Sequence, residues 1–343
     1  MAEESGARVE GRIRRLKVLL GDSLFIPAHH YQRDEVVQFA DYVGDSLELA
    51  RVCAETGARF ILFCGVRFMA EIARALVPED KNVFMPVPEA CCPLADFAPV
   101  AGVLELYDQL QCAHPDEFVS VAYANTHLEV KAFCGRHGGF VCTSSNARRV
   151  FEHVLGSGGR VFFVPDRNLG LNTAAAMGLL DETAVAGELT RADELRGRRI
   201  VVWDGHCSVH TRFQAEQVRR WRSTEPGARV MVHPECDPEV VAAADLARST
   251  SAIKREVDES PEGSSWVIGT EHHFVARLQA TNPGKRVAAL DQSECRDMSL
   301  TTAGRLLTVL QRIAGGDLSN QVTVEDARAV EAGRAIRSML DLG

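Results

Sequence analysis

Ten short runs rich in β-branched and aromatic residues punctuate the chain, and longer stretches with helical spacing separate many of them. The runs are LFIPA (24–28), FILFC (60–64), NVFMPV (82–87), FVSVAY (118–123), GFVCT (139–143), RVFFVP (160–165), RIVVW (199–203), RVMVH (229–233), SWVIGT (265–270) and RVAAL (286–290). Helices are expected within 33–56, 67–77, 145–156, 213–223 and 237–248. Such alternation predicts α/β units with mostly parallel sheets. At 343 residues the chain is longer than one hydrophobic core usually covers, so several domains are expected.

Three segments open alike, each with a strand delivering polar side chains into a turn before a helix. They are PAHHYQRDEVVQFAD, AYANTHLEVKAFC and MVHPECDPEVVAAAD, starting about 100 residues apart. Each is followed by a small polar turn, in FCGVRFMAEIA, VCTSSNARRVF and ARSTSAIKREV. The pattern predicts three similar three-layer α/β/α domains, divided at 1–104, 105–196 and 197–297, with helices of 298–343 completing the first. Polar groups at the C-terminal ends of parallel strands line the crevice where such folds bind ligands. Three domains around a common axis would therefore converge on one central site.

A net charge of −9 excludes nucleic acid and anionic membrane as main partners, since both need a concentrated basic face. No apolar stretch approaches the roughly 20 residues that cross a bilayer. The N-terminus lacks the apolar core of a secretory signal, so a cytoplasmic protein is expected. Ten cysteines in such a chain imply thiol chemistry rather than a disulfide framework. Cys53, Cys64, Cys112 and Cys134 stand in apolar or helical contexts and are expected as small buried hydrophobes. No CxxC pair occurs, which excludes a local zinc motif. Cys92, Cys142, Cys207, Cys236 and Cys295 instead follow strands or lie in loops.

Three pairs at strand ends are spaced i, i+2 and point to one face in extended chain: His29 with Tyr31, Tyr123 with Asn125, and His233 with Glu235. An imidazole so placed can pass protons near neutral pH. His114, His137, His153, His272 and His273 lack such company and are expected to be structural. The turns at Gly44-Asp45-Ser46, Thr143-Ser144-Ser145 and Ser249-Thr250-Ser251 open helices, where exposed N–H groups bind anions or are simply capped.

The segments AHHYQ, GDSLELA, FCGVRFMAE, CCPLAD, YANTHLEVKA, CTSSNA, PDRNLGLN, GHCSVH, HPEC, STS, GTEHHF and ECRDM follow one another over about residues 22–310. In that order they resemble the quinolinate synthase A family, iron–sulfur enzymes of de novo NAD biosynthesis. The resemblance implies three α/β domains around a pseudo-threefold axis, each giving one cysteine to a single 4Fe–4S cluster. Those cysteines would be Cys92, Cys207 and Cys295, and the iron they leave unligated would act as a Lewis acid. It further implies condensation of iminoaspartate with dihydroxyacetone phosphate to quinolinate, with loss of phosphate and two waters, and functional coupling to an L-aspartate oxidase. His29, Tyr31, His233 and Glu235 would move protons and orient carbonyls. Tyr123 and Asn125 would hold a substrate carboxylate, and Ser46, Ser144 and Thr250 phosphate or carboxylate.

The chain departs from the family pattern in several places. Cys91 stands where glycine is common, which leaves Cys91 and Cys92 as alternatives for the first ligand. Pro93 follows, His127 stands in YANTHLE where serine is common, and FCGRHGG lengthens the segment before CTSSNA. Two rival readings are a zinc or ferrous phosphosugar lyase that ligates its metal through His29, His233 and Glu235, and a non-catalytic iron–sulfur sensor.

Overall fold

The computed structural model describes residues 6–115 and 117–342. Two compact units divide the chain: one runs to Cys92 and resumes over Cys295–Ala329, and the other comprises Pro93–Glu294 and the chain from Val330 onward.

In the first unit lie β1 (Leu24–Phe25), β2 (Pro27–His29), β3 (Tyr42–Gly44), β4 (Phe60–Leu62) and β5 (Asn82–Phe84). They form a parallel sheet of order β1-β4-β5 and a parallel pair β2-β3. The run LFIPA thus divides between two sheets. The break falls at Ile26, whose N–H is taken by the Asp41 carboxylate (2.8 Å) rather than by a strand. Helices Gly6–Leu20 and Ala303–Ala314 pack together over this core, burying Ile13, Leu306, Leu310 and Ile313 with Ile26, Leu62 and Phe84. Each such side chain contributes about 1.5–3 kcal/mol of apolar burial.

The second unit holds β6 (Phe118–Tyr123), β7 (Phe140–Cys142), β8 (Arg160–Val164), β9 (Thr183–Ala186) and β10 (Ile200–Trp203), then β11 (Arg229–Val232), β12 (Leu246–Ala247), β13 (Ser265–Gly269) and β14 (Arg286–Ala289). Their sheets run β7-β6-β8-β10-β9 and β12-β11-β13-β14, with every ladder parallel. The fold is α/β, with several parallel sheets alternating with helices. Among the described residues no helix is long and apolar enough to cross a membrane.

All ten runs read from the sequence carry a strand, but three further strands do not announce themselves. β3 and β12 fall inside the expected helices 33–56 and 237–248, which shorten to Asp34–Val37 with Ser46–Glu55 and to Pro238–Ala243. The expected boundary at 197 also moves. Ile200–Trp203 pairs with β8 and β9, so this strand belongs to the second sheet and not the third. The C-terminal residues differ likewise, because from Val330 the helix Asp326–Asp341 joins the second unit rather than the first. Gly135 explains its seat there: a Cβ at that position would meet the Glu331 carbonyl oxygen at 1.8 Å. Arg136 pairs with Glu331 (2.6 Å), and Asn146 Nδ2 donates to the Met339 carbonyl (3.0 Å).

Candidate active site

In the first unit the turn after β2 is built on Asp41. Its N–H donates to the Ile26 carbonyl (2.8 Å), its Oδ2 accepts the Ile26 N–H, and its Oδ1 pairs with Lys17 (2.6 Å), which also donates to the Phe39 carbonyl. The strand end then fixes His29, whose N–H donates to the Cys64 carbonyl (3.0 Å). The Tyr31 N–H donates to His29 Nδ1 (3.1 Å), which leaves Nε2 to carry the proton of the neutral ring. The two buried rings meet edge to face at 4.6 Å. Beyond β3, Asp45 caps helix Ser46–Glu55 in a capping box with Glu48. Capping is therefore the work of Asp45, and Ser46 stands half-buried as the first helical residue.

In the second unit the turn after β11 repeats this plan with different chemistry. Asp245 takes the Val230 N–H (2.7 Å), returns its own N–H to the Val230 carbonyl (2.9 Å) and pairs with Arg222 (2.9 Å). His233 donates its N–H to the Gly269 carbonyl (3.0 Å), and its Nδ1 accepts the Glu235 N–H (3.3 Å). The Glu235 carboxylate is buried. Its Oε2 lies 2.7 Å from His210 Nδ1 and 3.3 Å from His233 Nδ1, and the two imidazoles stack at 4.3 Å. His210 Nε2 in turn reaches Thr270 Oγ1 (3.0 Å).

Burial alone would raise the Glu235 pKa. The His210 ring, by charge and hydrogen bond, with His233 and the Tyr123 hydroxyl, outweighs it and holds the carboxyl at about 2. Asp166 moves the opposite way, raised by burial and then by the charge of Glu235. Its Oδ1 accepts the Leu169 N–H (2.6 Å), while its buried Oδ2 has no hydrogen-bond partner among the described residues. Glu235 is thus the ionised carboxyl of the two and Asp166 the one that keeps its proton longer.

Cys207, His210 and Glu235 each offer a donor atom within 4.8 Å of the others. Tyr123, at the end of β6, is buried and bonds the Glu235 carboxylate, and Asn125 is half-buried two residues on. Thr126 holds the turn through the Tyr123 carbonyl (3.0 Å). His127 is engaged by Asp96 (2.9 Å). The two small polar turns of this unit touch, with Ser145 Oγ donating to Ser249 Oγ (2.9 Å). That contact brings together the starts of helices Ala147–Gly156 and Thr250–Glu259, beside half-buried Ser144 and buried Thr250.

Cys92 and Cys295 belong to the first unit and are half-buried, as is Cys207 in the second. The Cys91 N–H donates to Asp297 Oδ1 (3.1 Å), which ties the CCPLAD loop to the ECRDM loop. The other thiols separate by burial. Cys53 and Cys64 are pushed up to about 12 and Cys134 to about 11, and Cys142 and Cys236 are raised as well. Cys112 is exposed, contrary to the expectation that it is a buried hydrophobe, because helix Val100–Ala113 turns that position outward.

The structure brings Tyr123, His233 and Glu235 together, and beside them His210 and Asp166, which sequence reasoning did not single out. His210 follows Cys207 by three residues in GHCSVH, and that spacing is its only signal in the sequence.

A model of the quinolinate synthetase A protein family matches residues 11–341. The chain belongs to this family. Quinolinate synthases of Geobacillus kaustophilus and Streptomyces coelicolor are similar to it, at 41% identity over 98% of this chain and 94% of the relative, and at 42% over 96% and 87%. The quinolinate synthase of Listeria monocytogenes is 38% identical over 96% of this chain and 93% of its own. The family's motifs thus run through both units, and HPEC and GHCSVH supply the Glu235–His210–His233 group.

Proposed function

We propose that the chain is a quinolinate synthase that condenses iminoaspartate with dihydroxyacetone phosphate, releasing phosphate and two waters. The observation that carries this reading is the buried Glu235 carboxylate, held between His210 and His233 beside the Cys207 sulfur. An ionised carboxylate between two imidazoles can accept and return protons, as imine formation, tautomerisation and loss of water require. Tyr123 orients that carboxylate and, with Asn125, faces a substrate carboxylate. The helix start just after Ser144 and the one at Thr250 offer N–H groups and hydroxyls to a phosphate, and Ser46 is a third such group. His29 and Tyr31 form the second proton-carrying pair.

Cys92, Cys207 and Cys295 would hold one 4Fe–4S cluster. The donor set fits, since these three thiols escape the full burial that raises Cys142 and Cys236. When bound, a cluster with three thiolate ligands supplies a Lewis-acidic iron with an open position. Substrates of this kind are small anions, and the reading includes functional coupling to an L-aspartate oxidase as the iminoaspartate source. It also places the protein in the cytoplasm.

Protein purified without oxygen should carry about four iron and four sulfide per chain and form quinolinate from dihydroxyacetone phosphate and freshly generated iminoaspartate. Cys207→Ala should abolish cluster assembly and Cys236→Ala should not; equal iron loss in both refutes the ligand set. The second reading, a lyase without a cluster, was expected to hold its metal on His29, His233 and Glu235; Cys207, His210 and Glu235 instead make a three-donor set for a single metal ion, which keeps that reading open. One zinc and no sulfide per chain would decide for it. Cluster-loaded protein that forms no quinolinate would overturn the synthase.

A further inference from the structure

Helix Arg167–Ala176 carries most of PDRNLGLN, and its own side chains have no role in the chemistry above. Asp166 caps its start. It lies close on the sheet because of Gly170: a Cβ there would fall 2.5 Å from Val202 Cγ1 on β10 and 2.9 Å from Phe163 Cδ1 on β8. Asn168 and Asn172 stand four residues apart and so share a helix face, and both are buried.

Their amides grip the turn that carries Glu235. Asn172 Nδ2 donates to the carbonyls of Pro234 and Cys236, both at 2.8 Å. Asn168 Nδ2 donates to Asp237 Oδ1 (2.8 Å) and to the Glu235 carbonyl (3.3 Å). Three successive carbonyls of the HPEC turn are thereby tied by two side chains. A primary amide has two N–H donors, and Asn172 spends both on carbonyls two residues apart, which fixes the curvature between them.

We propose that Asn168 and Asn172 are positioning residues for the Glu235 carboxylate, with Gly170 setting how far their helix reaches. The inference rests on Glu235 as a proton carrier in the synthase reading. Active-site groups work within about 0.5 Å of their productive place, and a misplacement of about 1 Å from a remote change can lower a rate about 100-fold. Releasing the two carbonyls frees the turn to shift Glu235 away from His210 without touching any substrate contact.

The test uses the full chain, cluster-loaded under anaerobic conditions. Asn172→Asp keeps the shape and removes both donors, Asn172→Ala removes the group, and Asn172→Gln keeps a primary amide. Gln279→Ala is the control: that half-buried amide ties the Lys285 carbonyl (3.0 Å) and the Val287 N–H (2.7 Å) in another helix of the same unit. Asn172→Asp and Asn172→Ala should lower kcat roughly 10- to 100-fold with KM changed less than about threefold, at unchanged iron and sulfide. Asn172→Gln should recover part of the loss, and Gln279→Ala should lower Tm while leaving kcat intact. In the metal-free chain, amides of residues 235–237 should exchange hydrogen faster in Asn172→Asp than in wild type or Gln279→Ala.

A kcat in Asn172→Asp within about twofold of wild type, or a loss matched by Gln279→Ala, would overturn the positioning role. Unchanged exchange at 235–237 would do the same. Wild-type protein that makes no quinolinate would instead break the functional reading, and the exchange comparison would still judge the clamp.

Discussion

The turns after β2 and β11 share a backbone and differ in what they display. In both, an aspartate brackets a residue 15 positions earlier, Asp41 with Ile26 at the break between β1 and β2 and Asp245 with Val230 in β11. A cation pairs with each aspartate and donates to the carbonyl two residues before it, Lys17 to Phe39 and Arg222 to Ala243. Each turn then fixes a histidine by the N–H of the residue two further on. That later residue is where they part: Tyr31 offers a neutral ring edge, whereas Glu235 offers a carboxylate that His210 and His233 keep ionised. One scaffold can therefore present unlike acid–base groups because the bonds that shape it are made by main chain, a remote aspartate and the shared histidine, not by the side chain in which the two turns differ.

The largest test of this difference is Glu235→Gln against Tyr31→Phe. Losing the carboxylate should lower kcat about 10²- to 10⁴-fold, and losing the phenol hydroxyl roughly tenfold or less, measured as quinolinate formed without oxygen. Equal losses would mean the two turns are chemically equivalent.

The buried carboxyls also set opposite pH dependences of stability. Glu235, depressed from 4.5 to about 2, contributes stability that is present above pH 4.5 and lost as pH falls towards 2. By area of shift this is on the order of 3 kcal/mol, and Glu235→Gln should flatten that limb of a denaturation series on metal-free chain. Asp166, raised above 3.8, costs stability as pH rises past 3.8. Asp166→Asn keeps the helix cap and should stabilise the chain near neutral pH while making no difference below pH 3.8; the reverse pattern would deny the raised pKa.

The shared scaffold predicts matching costs. Asp41→Ala and Asp245→Ala should each destabilise by about 1–3 kcal/mol, read by urea denaturation, and a loss at only one site would break the equivalence of the turns. Smallest are the half-exposed ion pairs, where Lys17→Met and Arg222→Met should each cost about 0.2–1 kcal/mol and less in high salt.

How much of this was legible follows from where the determinants lie. Strands such as FVSVAY and RVFFVP carry their burial in local composition, so they read directly. β3, β9 and β12 do not, because each lies at the edge of its sheet or pair, where Tyr42 and Val185 remain exposed and packing demands little. The meeting of His29 with Tyr31 and of His233 with Glu235 was legible through i, i+2 spacing. His210, Asp166, Asn168 and Asn172 were not, since their parts come from contacts with residues 25 to 69 positions away. The 197 boundary misled for a related reason: nothing in RIVVW says which sheet it will join.

Half of the ten cysteine sulfurs are sealed in: Cys53, Cys64, Cys134, Cys142 and Cys236 are buried, and burial keeps them as unreactive thiols. Oxidation by air is therefore expected first at Cys91, Cys92, Cys112, Cys207 and Cys295, the five that are not buried. Iodoacetamide applied to the native, metal-free chain should label those five first. If the proposed cluster is present, a preparation bleached by oxygen should be inactive yet still folded, and a reductant with fresh iron and sulfide should return it to use.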